Sequence, residues 1–353
     1  MVQSSGYAAL TAKSPLVPYA FTRREPGPAD IVIDILFCGI CHSDLHYVDN
    51  DMGYSNFPVV PGHEIVGRVK SVGKVVRKFA VGDLAAIGCY TDTCRVCEPC
   101  RGGHEHMCAE GITGAFGGVE RDGKQKTWGG FSSNYVVDET YAFTMPKNLD
   151  PAAAAPLLCA GITTYSPLRK WQAGPGKRVG IVGIGGLGHL AIKQAVAMGA
   201  TVVALTSSPG KVADARALGA HDVVLTSDAA QMRTPSAGGL DFILDTVSSP
   251  HEVNPLMGLL KPNSTLCLLG LLPQVSIAPV PLIFGQKSLS GSLIGGVQET
   301  QDMLNFCGEH NITADIERIT LPQVNEAFGR LARNDVKYRF VIDMQVKTDL
   351  QVK

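Results

Sequence analysis

Apolar and polar residues alternate along DIVIDILFC (30–38), the period-two pattern of a half-buried strand. Shorter runs of the same kind follow in IVGRVKSVG (65–73) and FSSNYVVD (131–138), punctuated by Gly, Asp and Pro. This first part of the chain is expected to be all-β with many turns. Near Pro151 the pattern changes. PAAAAPLLCAGITTYSPLRKW (151–171) predicts a helix carrying Cys159. KRVGIVGIGGLGHLAIKQAVAMGATVVALTSS (177–208) reads as strand, Gly-rich turn, helix and strand, and KVADARALGAHDVVL (211–225) as a further helix and strand. DFILDTV (241–247) and TLCLLGLL (265–272) add two short apolar runs that suit buried strands. Strands that alternate with helices and are apolar along most of their length imply a parallel, doubly wound sheet. From about residue 293 a helix-like stretch leads to a last strand, KYRFVIDM (337–344).

At 353 residues the chain has room for about two domains. Its 31 Lys and Arg balance 32 Asp and Glu, a formal charge of −1. That balance offers no basic surface for nucleic acid or an acidic membrane. The N-terminus lacks a basic segment followed by an apolar run, so no secretory signal is expected. The long apolar stretch 179–205 is broken by glycines, His189, Lys193 and Gln194, which argues against a membrane span. A soluble cytoplasmic protein is expected.

Half of the ten cysteines fall in CYTDTCRVCEPCRGGHEHMC (89–108). Cys94, Cys97, Cys100 and Cys108 are spaced C-x2-C-x2-C-x7-C. In a reducing cytosol such clustering points to metal rather than to disulfides. Four thiolates close the tetrahedral shell of zinc and leave no position for substrate, so this set is expected to be structural, in a lobe of about 89–112. Cys89 lies outside it and is expected in a core. His104 and His106 are expected on surface loops.

Gly183-Ile-Gly185-Gly186-Leu187-Gly188 fits G-x-G-x-x-G between a predicted strand and a predicted helix, the context a dinucleotide-binding turn requires. Gly183 allows the turn, Gly185 lets backbone approach a pyrophosphate, and Gly188 allows close helix–strand packing. An NAD site would carry an acid about 20 residues on for the ribose 2′-hydroxyl. Here the second strand ends in Thr206, Ser207 and Ser208, followed by Lys211. Hydroxyls and a cation suit a 2′-phosphate and favour NADP(H). Ser207 and Ser208 are also able to cap the next helix.

Cys41, His63 and Cys159 offer two thiolates and one imidazole, three protein ligands that would leave a fourth zinc position open for substrate. Their separation in sequence makes spacing alone a weak signal. CGICHSDLH (38–46), VPGHEIVG (60–67), the cysteine quartet, LCAGITTYSPL (158–168), GIGGLG (183–188) and KYRFVIDM (337–344) fall in one order. In that order the chain resembles the medium-chain zinc alcohol dehydrogenases. NDMGYSNFPVVPGHE (50–64) and TSSPGK (206–211) narrow the resemblance to the cinnamyl alcohol dehydrogenase-like branch, with its NADPH-dependent aldehyde reductases. It covers almost the whole chain.

The resemblance implies a GroES-like β-rich catalytic domain, 1–157 and 293–353, and a Rossmann domain, 158–292, with the active site in a cleft between them. It makes Cys41, His63 and Cys159 the catalytic zinc ligands, with Glu64 in or beside the shell and Asp44 orienting the histidine. Ser43 and His46 match a proton relay. His42 matches a residue near the cofactor pyrophosphate and Thr163 one near the nicotinamide. Thr206, Ser207, Ser208 and Lys211 match a 2′-phosphate clamp, and a homodimer is implied. The activity implied is interconversion of aldehydes and primary alcohols with NADP(H) and two zinc ions per chain. Reduction of C=N or C=C bonds, or a scaffold without activity, are the alternatives. Plant lignin-type members carry a tryptophan near the place of Thr113, so a large aromatic wall is expected to be missing. Met52, Phe116 and Leu293 are candidate pocket residues.

Overall fold

The computed structural model describes residues 1–234 and 237–346. The chain divides into two compact units, Met1–Cys159 with Gly295–Lys353, and Ala160–Ile294.

The first unit is built on a seven-stranded sheet around Asp30–Gly39. One edge of this strand pairs antiparallel with Ile65–Val72. Its other edge is shared: Asn134–Asp138 pairs with its first half and Arg339–Asp343 with its last three residues. The last strand of the chain is thereby set against Phe37–Gly39, immediately before Cys41. The alternation at 30–38 predicts one solvated face, but only Asp34 and Leu36 are even partly exposed. The polar residues mislead because Asp30 is buried in an ion pair with Arg24, whose Nη2 lies 2.8 Å from Oδ1. Asp34 is the polar residue of the strand that reaches the surface, 3.1 Å from Lys70 Nζ.

The helix expected over 151–171 is broken. Pro151–Ala154 is one helical turn, Ala155–Leu158 a 3-10 turn, and Ala160–Lys170 an α-helix. Proline has no N–H to donate and its ring crowds the preceding turn, so Pro151 and Pro156 fit first-turn positions and interrupt a continuous helix. Cys159 stands at the break with φ −125° and ψ −69°, outside helical geometry.

The second unit is a six-stranded parallel sheet. Its spatial order is Asp222–Leu225, Thr201–Thr206, Arg178–Val182, Leu240–Asp245, Leu260–Leu268 and Ser288–Gly291. The chain starts in the middle, builds outward to one side, then returns to build the other, the doubly wound order of a dinucleotide-binding fold. Val179, Ile181, Val203, Leu205, Ile243 and Leu244 are fully buried, as strands covered on both faces require. Helices Ala160–Lys170 and Gly188–Ala197 are tied by a buried bond from Thr164 Oγ1 to Gln194 Oε1 (2.7 Å) and one from Gln194 Nε2 to Gly161 O (3.0 Å). The apolar run 179–205 resolves into strand, turn, helix and strand, and among the described residues no helix is long and apolar enough to cross a membrane.

Candidate active site

Cys41 stands at the N-cap of helix His42–Asp49. Asp44, fully buried in the first turn, organises what surrounds it. Its Oδ2 accepts the Cys41 N–H at 2.8 Å, and Oδ1 accepts the Gly62 N–H at 2.9 Å and lies 3.1 Å from His63 Nδ1. A carboxylate only accepts, so His63 donates from Nδ1, which leaves Nε2 as the atom that would meet a metal. Cys159 brings its Sγ to 3.9 Å from Cys41 Sγ. Cys41, His63, Glu64 and Cys159 place one donor atom each within 4.8 Å of the others.

Two sulfurs on one tetrahedral zinc, each about 2.3 Å from it, lie about 3.8 Å apart. The thiol separation, the oriented imidazole and the burial of Cys41, His63 and Glu64 all fit zinc. The electrostatics split the two thiols: hydrogen bonds with Cys41 and Cys89, together with burial, push the Cys159 pKa well above the usual thiol range. A hydrogen bond from Cys159 lowers the Cys41 pKa well below the usual thiol range, against burial and with help from Arg339 and His63. Burial pulls the His63 pKa down, but Asp44 more than offsets this and the net shift is well upward.

Glu64 turns toward a partner not anticipated from the sequence. Its Oε1 is paired with Arg339 Nη2, and both side chains are buried. Burial pushes the Glu64 pKa up to about 7 in spite of Arg339, while its Oε2 has no hydrogen-bond partner. The signal for Arg339 lies in KYRFVIDM, where a cation stands directly before the apolar run Phe340–Ile342; buried arginine is rare unless paired.

Ser43 and His46 lie on the Cys41-capped helix. Ser43 Oγ is 3.7 Å from Cys41 Sγ, next to the ligand set. His46 is part-exposed, with Nδ1 2.9 Å from Asp51 Oδ2, a second acid the sequence did not single out. The His42 ring is 6.4 Å from that of His46. Thr113 is buried in strand Thr113–Gly114 and offers no wall. An aromatic ring nevertheless stands beside the ligands: Phe116 stacks on His63 at 5.6 Å, with Tyr47 edge-on to it at 4.7 Å. Met52 and Leu293 are exposed.

Cys94, Cys97, Cys100 and Cys108 form a second set with donors within 4.8 Å of one another. Cys94 and Cys100 sulfurs are 3.8 Å apart, the tetrahedral value. Backbone N–H groups point at the sulfurs, from Cys97 to Cys94 (3.3 Å), Cys94 to Cys108 (3.4 Å) and Ala109 to Cys97 (3.5 Å). Such bonds favour thiolate, and those from Ala109 and Cys100 bring the Cys97 pKa down to about 6. Cys89, expected in a core, is only half-buried, with Sγ 3.7 Å from Leu158 O.

In the second unit the glycines divide their work. Gly183 has φ +86°, and a Cβ on Gly188 would overlap the Gly183 carbonyl. A Cβ on Gly185 would meet nothing within 4 Å, so the turn there is open, as a cradle for a pyrophosphate must be. Gly186 and Leu187 complete the turn, and helix Gly188–Ala197 begins behind it. Thr206 ends its strand, with Oγ1 accepting the Ser208 N–H at 3.2 Å. Ser208 is at an N-cap position yet makes no side-chain capping bond, so its hydroxyl is not used in that way. Lys211 Nζ donates to Ile184 O at 2.9 Å, which brings the cation to the glycine turn. Thr163 is buried in helix Ala160–Lys170.

Residues 27–147 match the alcohol dehydrogenase GroES-like domain, and residues 186–309 the zinc-binding dehydrogenase domain. The chain is 51% identical over 344 residues to aldehyde reductase YahK of Escherichia coli, covering 97% of this chain and 98% of that one. It superimposes on a cinnamyl alcohol dehydrogenase of Sorghum bicolor (SbCAD4) with a TM-score of 0.95 and 44% identity, covering 99% of this chain and all of the other. A Helicobacter pylori CAD complexed with NADP(H) matches with a TM-score of 0.91 and 38% identity over 98% and 99% of the two chains. The protein belongs to the medium-chain zinc-dependent alcohol dehydrogenases, in the branch that holds the cinnamyl alcohol dehydrogenases.

Proposed function

We propose that the protein interconverts aldehydes and primary alcohols by hydride transfer with NADP(H), with aromatic and cinnamyl-type aldehydes in its range. The observation that carries this reading is the set of Cys41, His63 and Cys159, with His63 held through Nδ1 by Asp44 beside the two thiols. In reduction, aldehyde, NADPH and a proton give primary alcohol and NADP⁺. Zinc, when bound, supplies a Lewis acid for the carbonyl oxygen, and NADPH supplies the hydride.

The chain's own residues do the rest. Asp44 positions one ligand and the backbone beside another. Arg339 positions Glu64, holding it paired at the edge of the ligand set. Ser43, next to Cys41, is the group that hands a proton to the product oxygen, and His46, held by Asp51, is its source. Phe116 offers a flat apolar face beside His63, which suits a planar substrate. The Gly183–Gly188 turn takes the pyrophosphate, and the resemblance assigns His42 and Thr163 to cofactor contacts. Thr206, Ser207, Ser208 and Lys211 take the 2′-phosphate. The Cys94 set holds a structural zinc. Catalysis is assigned to a domain of 1–157 with 293–353 and cofactor binding to 158–292, boundaries that each lie two residues before those of the compact units, so that Cys159 falls in the first unit.

A homodimer goes with this reading. Strand Ser288–Gly291 ends the parallel sheet, and among the described residues its outer edge has no strand partner. Helix Pro279–Gly285, which precedes it, leaves Ile283 69% and Phe284 87% exposed. An unpaired edge beside an apolar helix is a surface that a second copy, related by a two-fold axis, is able to cover. A cytoplasmic setting, reducing enough to keep the ligand thiols, fits the ten unpaired cysteines.

The test is NADPH oxidation, followed at 340 nm, against aliphatic, benzylic and cinnamyl aldehydes. Turnover with aldehydes that is lost on chelation is expected. No turnover of any aldehyde by zinc-loaded protein would overturn the reading.

A further inference from the structure

In the second unit the sheet order reverses between Arg178–Val182 and Leu240–Asp245. Loops leaving adjacent strand ends at such a reversal part to opposite faces and open a crevice, where doubly wound sheets bind their ligand. The glycine turn forms one wall. The other is the segment after Asp245, which carries none of the residues assigned above.

This segment is tied down at both ends. Thr246 Oγ1 donates to Val182 O at 2.8 Å, and the Thr246 N–H bonds to the same carbonyl at 3.0 Å. Val247 packs so close to Gly183 that a Cβ there would fall 2.8 Å from its Cγ2. Asp245 is fully buried. Its Oδ1 accepts the Val247 N–H at 3.1 Å and its Oδ2 meets His251 Nε2 at 2.7 Å. His251 Nδ1 in turn lies 2.9 Å from Ser249 O. Both ring nitrogens thus face acceptors, so the pair holds a proton on each bond. Burial pulls the His251 pKa down, but Ser249 O and Asp245 outweigh it and the net shift is upward. The result is a loop, 246–251, closed by a charge-assisted bond between its two ends.

The direction of a dinucleotide over this sheet follows from the residues already placed. The adenosine end goes to Thr206 and Lys211 on one side of the glycine turn, and the pyrophosphate to the turn. The nicotinamide riboside then lies on the opposite side, over the end of Leu240–Asp245. We infer that Asp245 and His251 are a positioning pair that fixes the backbone of 246–251 as the floor for the nicotinamide riboside half of NADP(H). This rests on the cofactor reading above and extends it to two residues with no assigned role.

Two ligands separate local positioning from general support. NADPH spans both halves of the site, whereas adenosine 2′,5′-bisphosphate occupies only the adenosine half. Affinities measured by calorimetry for wild type, His251→Ala and Asp245→Asn form the test. Both variants are expected to lose about tenfold or more in NADPH affinity while holding the bisphosphate within about twofold of wild type. Retained bisphosphate binding also reports that the variant is folded. Equal loss of both ligands, or loss of neither, would overturn the positioning role. Wild-type protein that binds neither ligand would remove the cofactor reading, and this inference with it.

Discussion

Glu64 and Arg339, 275 positions apart in the chain, meet as a buried ion pair beside the thiols of Cys41 and Cys159. The sheet makes this meeting possible. Gly39 N–H bonds to Glu64 O at 2.9 Å, and Ile40 N–H to Phe340 O at 2.9 Å, so the segment leading to Cys41 runs between the two backbones. Removing one partner of a buried pair strands a charge, at a cost of about 3–5 kcal/mol. Glu64, which burial already pushes up to about 7, takes up a proton near neutral pH once its cation is gone, so Arg339→Met is expected to lose less than that there, to lose more as pH rises, and to hold less zinc. Glu64→Gln in the same chain should recover much of the stability. Urea denaturation of the single and double variants checks this. An Arg339→Met protein as stable as wild type would mean the pair adds nothing.

Two ligand sets predict two zinc ions per chain by elemental analysis. Their separation in the fold predicts different consequences of loss. Cys159→Ala should fall to one zinc, lose turnover and keep its far-ultraviolet circular dichroism. Cys100→Ser removes a buried ligand from a loop-rich lobe and should lower solubility and melting temperature as well as zinc. A fully active Cys159→Ala protein would sink the assignment of the Cys41 set to catalysis.

The proton path has two separable members. His46→Gln should slow turnover roughly tenfold or more where protons are scarce, because water must replace a positioned donor. Asp51 holds His46 Nδ1 at 2.9 Å, so Asp51→Asn should bend the same limb of the pH–rate profile by a smaller amount. Profiles that overlay wild type from acid to alkaline pH would leave His46 as a surface residue.

What the sequence discloses divides by the range of the interaction. The Gly183–Gly188 turn is legible because strand, turn and helix are consecutive, and the quartet at 94–108 because its four sulfurs are close in sequence. The doubly wound sheet is legible because apolar strands and helices alternate. Asp30–Gly39 misleads, since Asp30 looks exposed until Arg24 is placed beside it. The break at Cys159 was signalled by Pro156, yet the surrounding alanines favour a continuous helix. Arg339, Asp51 and the Asp245–His251 pair are defined by partners and surroundings that only the fold supplies. A side chain of this kind has no local period or spacing to mark it.

The exposed Phe284 gives the dimer a direct test. Phe284→Glu puts a charge on the helix beside the free edge strand, and two copies related by a two-fold axis would bring two such charges together. Light scattering should find two chains per particle for wild type and a shift toward single chains for the variant. A wild-type protein that is monomeric at micromolar concentration would rule out the dimer.

Cofactor choice turns on the end of strand Thr201–Thr206. Thr206, which ends it, and Ser207 and Ser208, which follow it, carry no carboxylate to bond a ribose diol. The hydroxyl of Ser208 makes no capping bond, and Ser207 is exposed. Lys211 lies at the glycine turn, donating to Ile184 O, with the remaining protons of its ammonium to offer a 2′-phosphate. A hydrogen bond to a charged group contributes about 1.5–3 kcal/mol, so Lys211→Ala should weaken NADPH by about tenfold or more. NADH lacks the phosphate and should be almost unaffected. Ser207→Asp places a carboxylate where the phosphate would sit, repelling NADPH while offering the diol an acceptor, and should narrow or invert the preference. Catalytic efficiency with each cofactor, for wild type and both variants, decides the matter. A wild type equally efficient with NADH and NADPH would show that Thr206, Ser207, Ser208 and Lys211 do not select the phosphate.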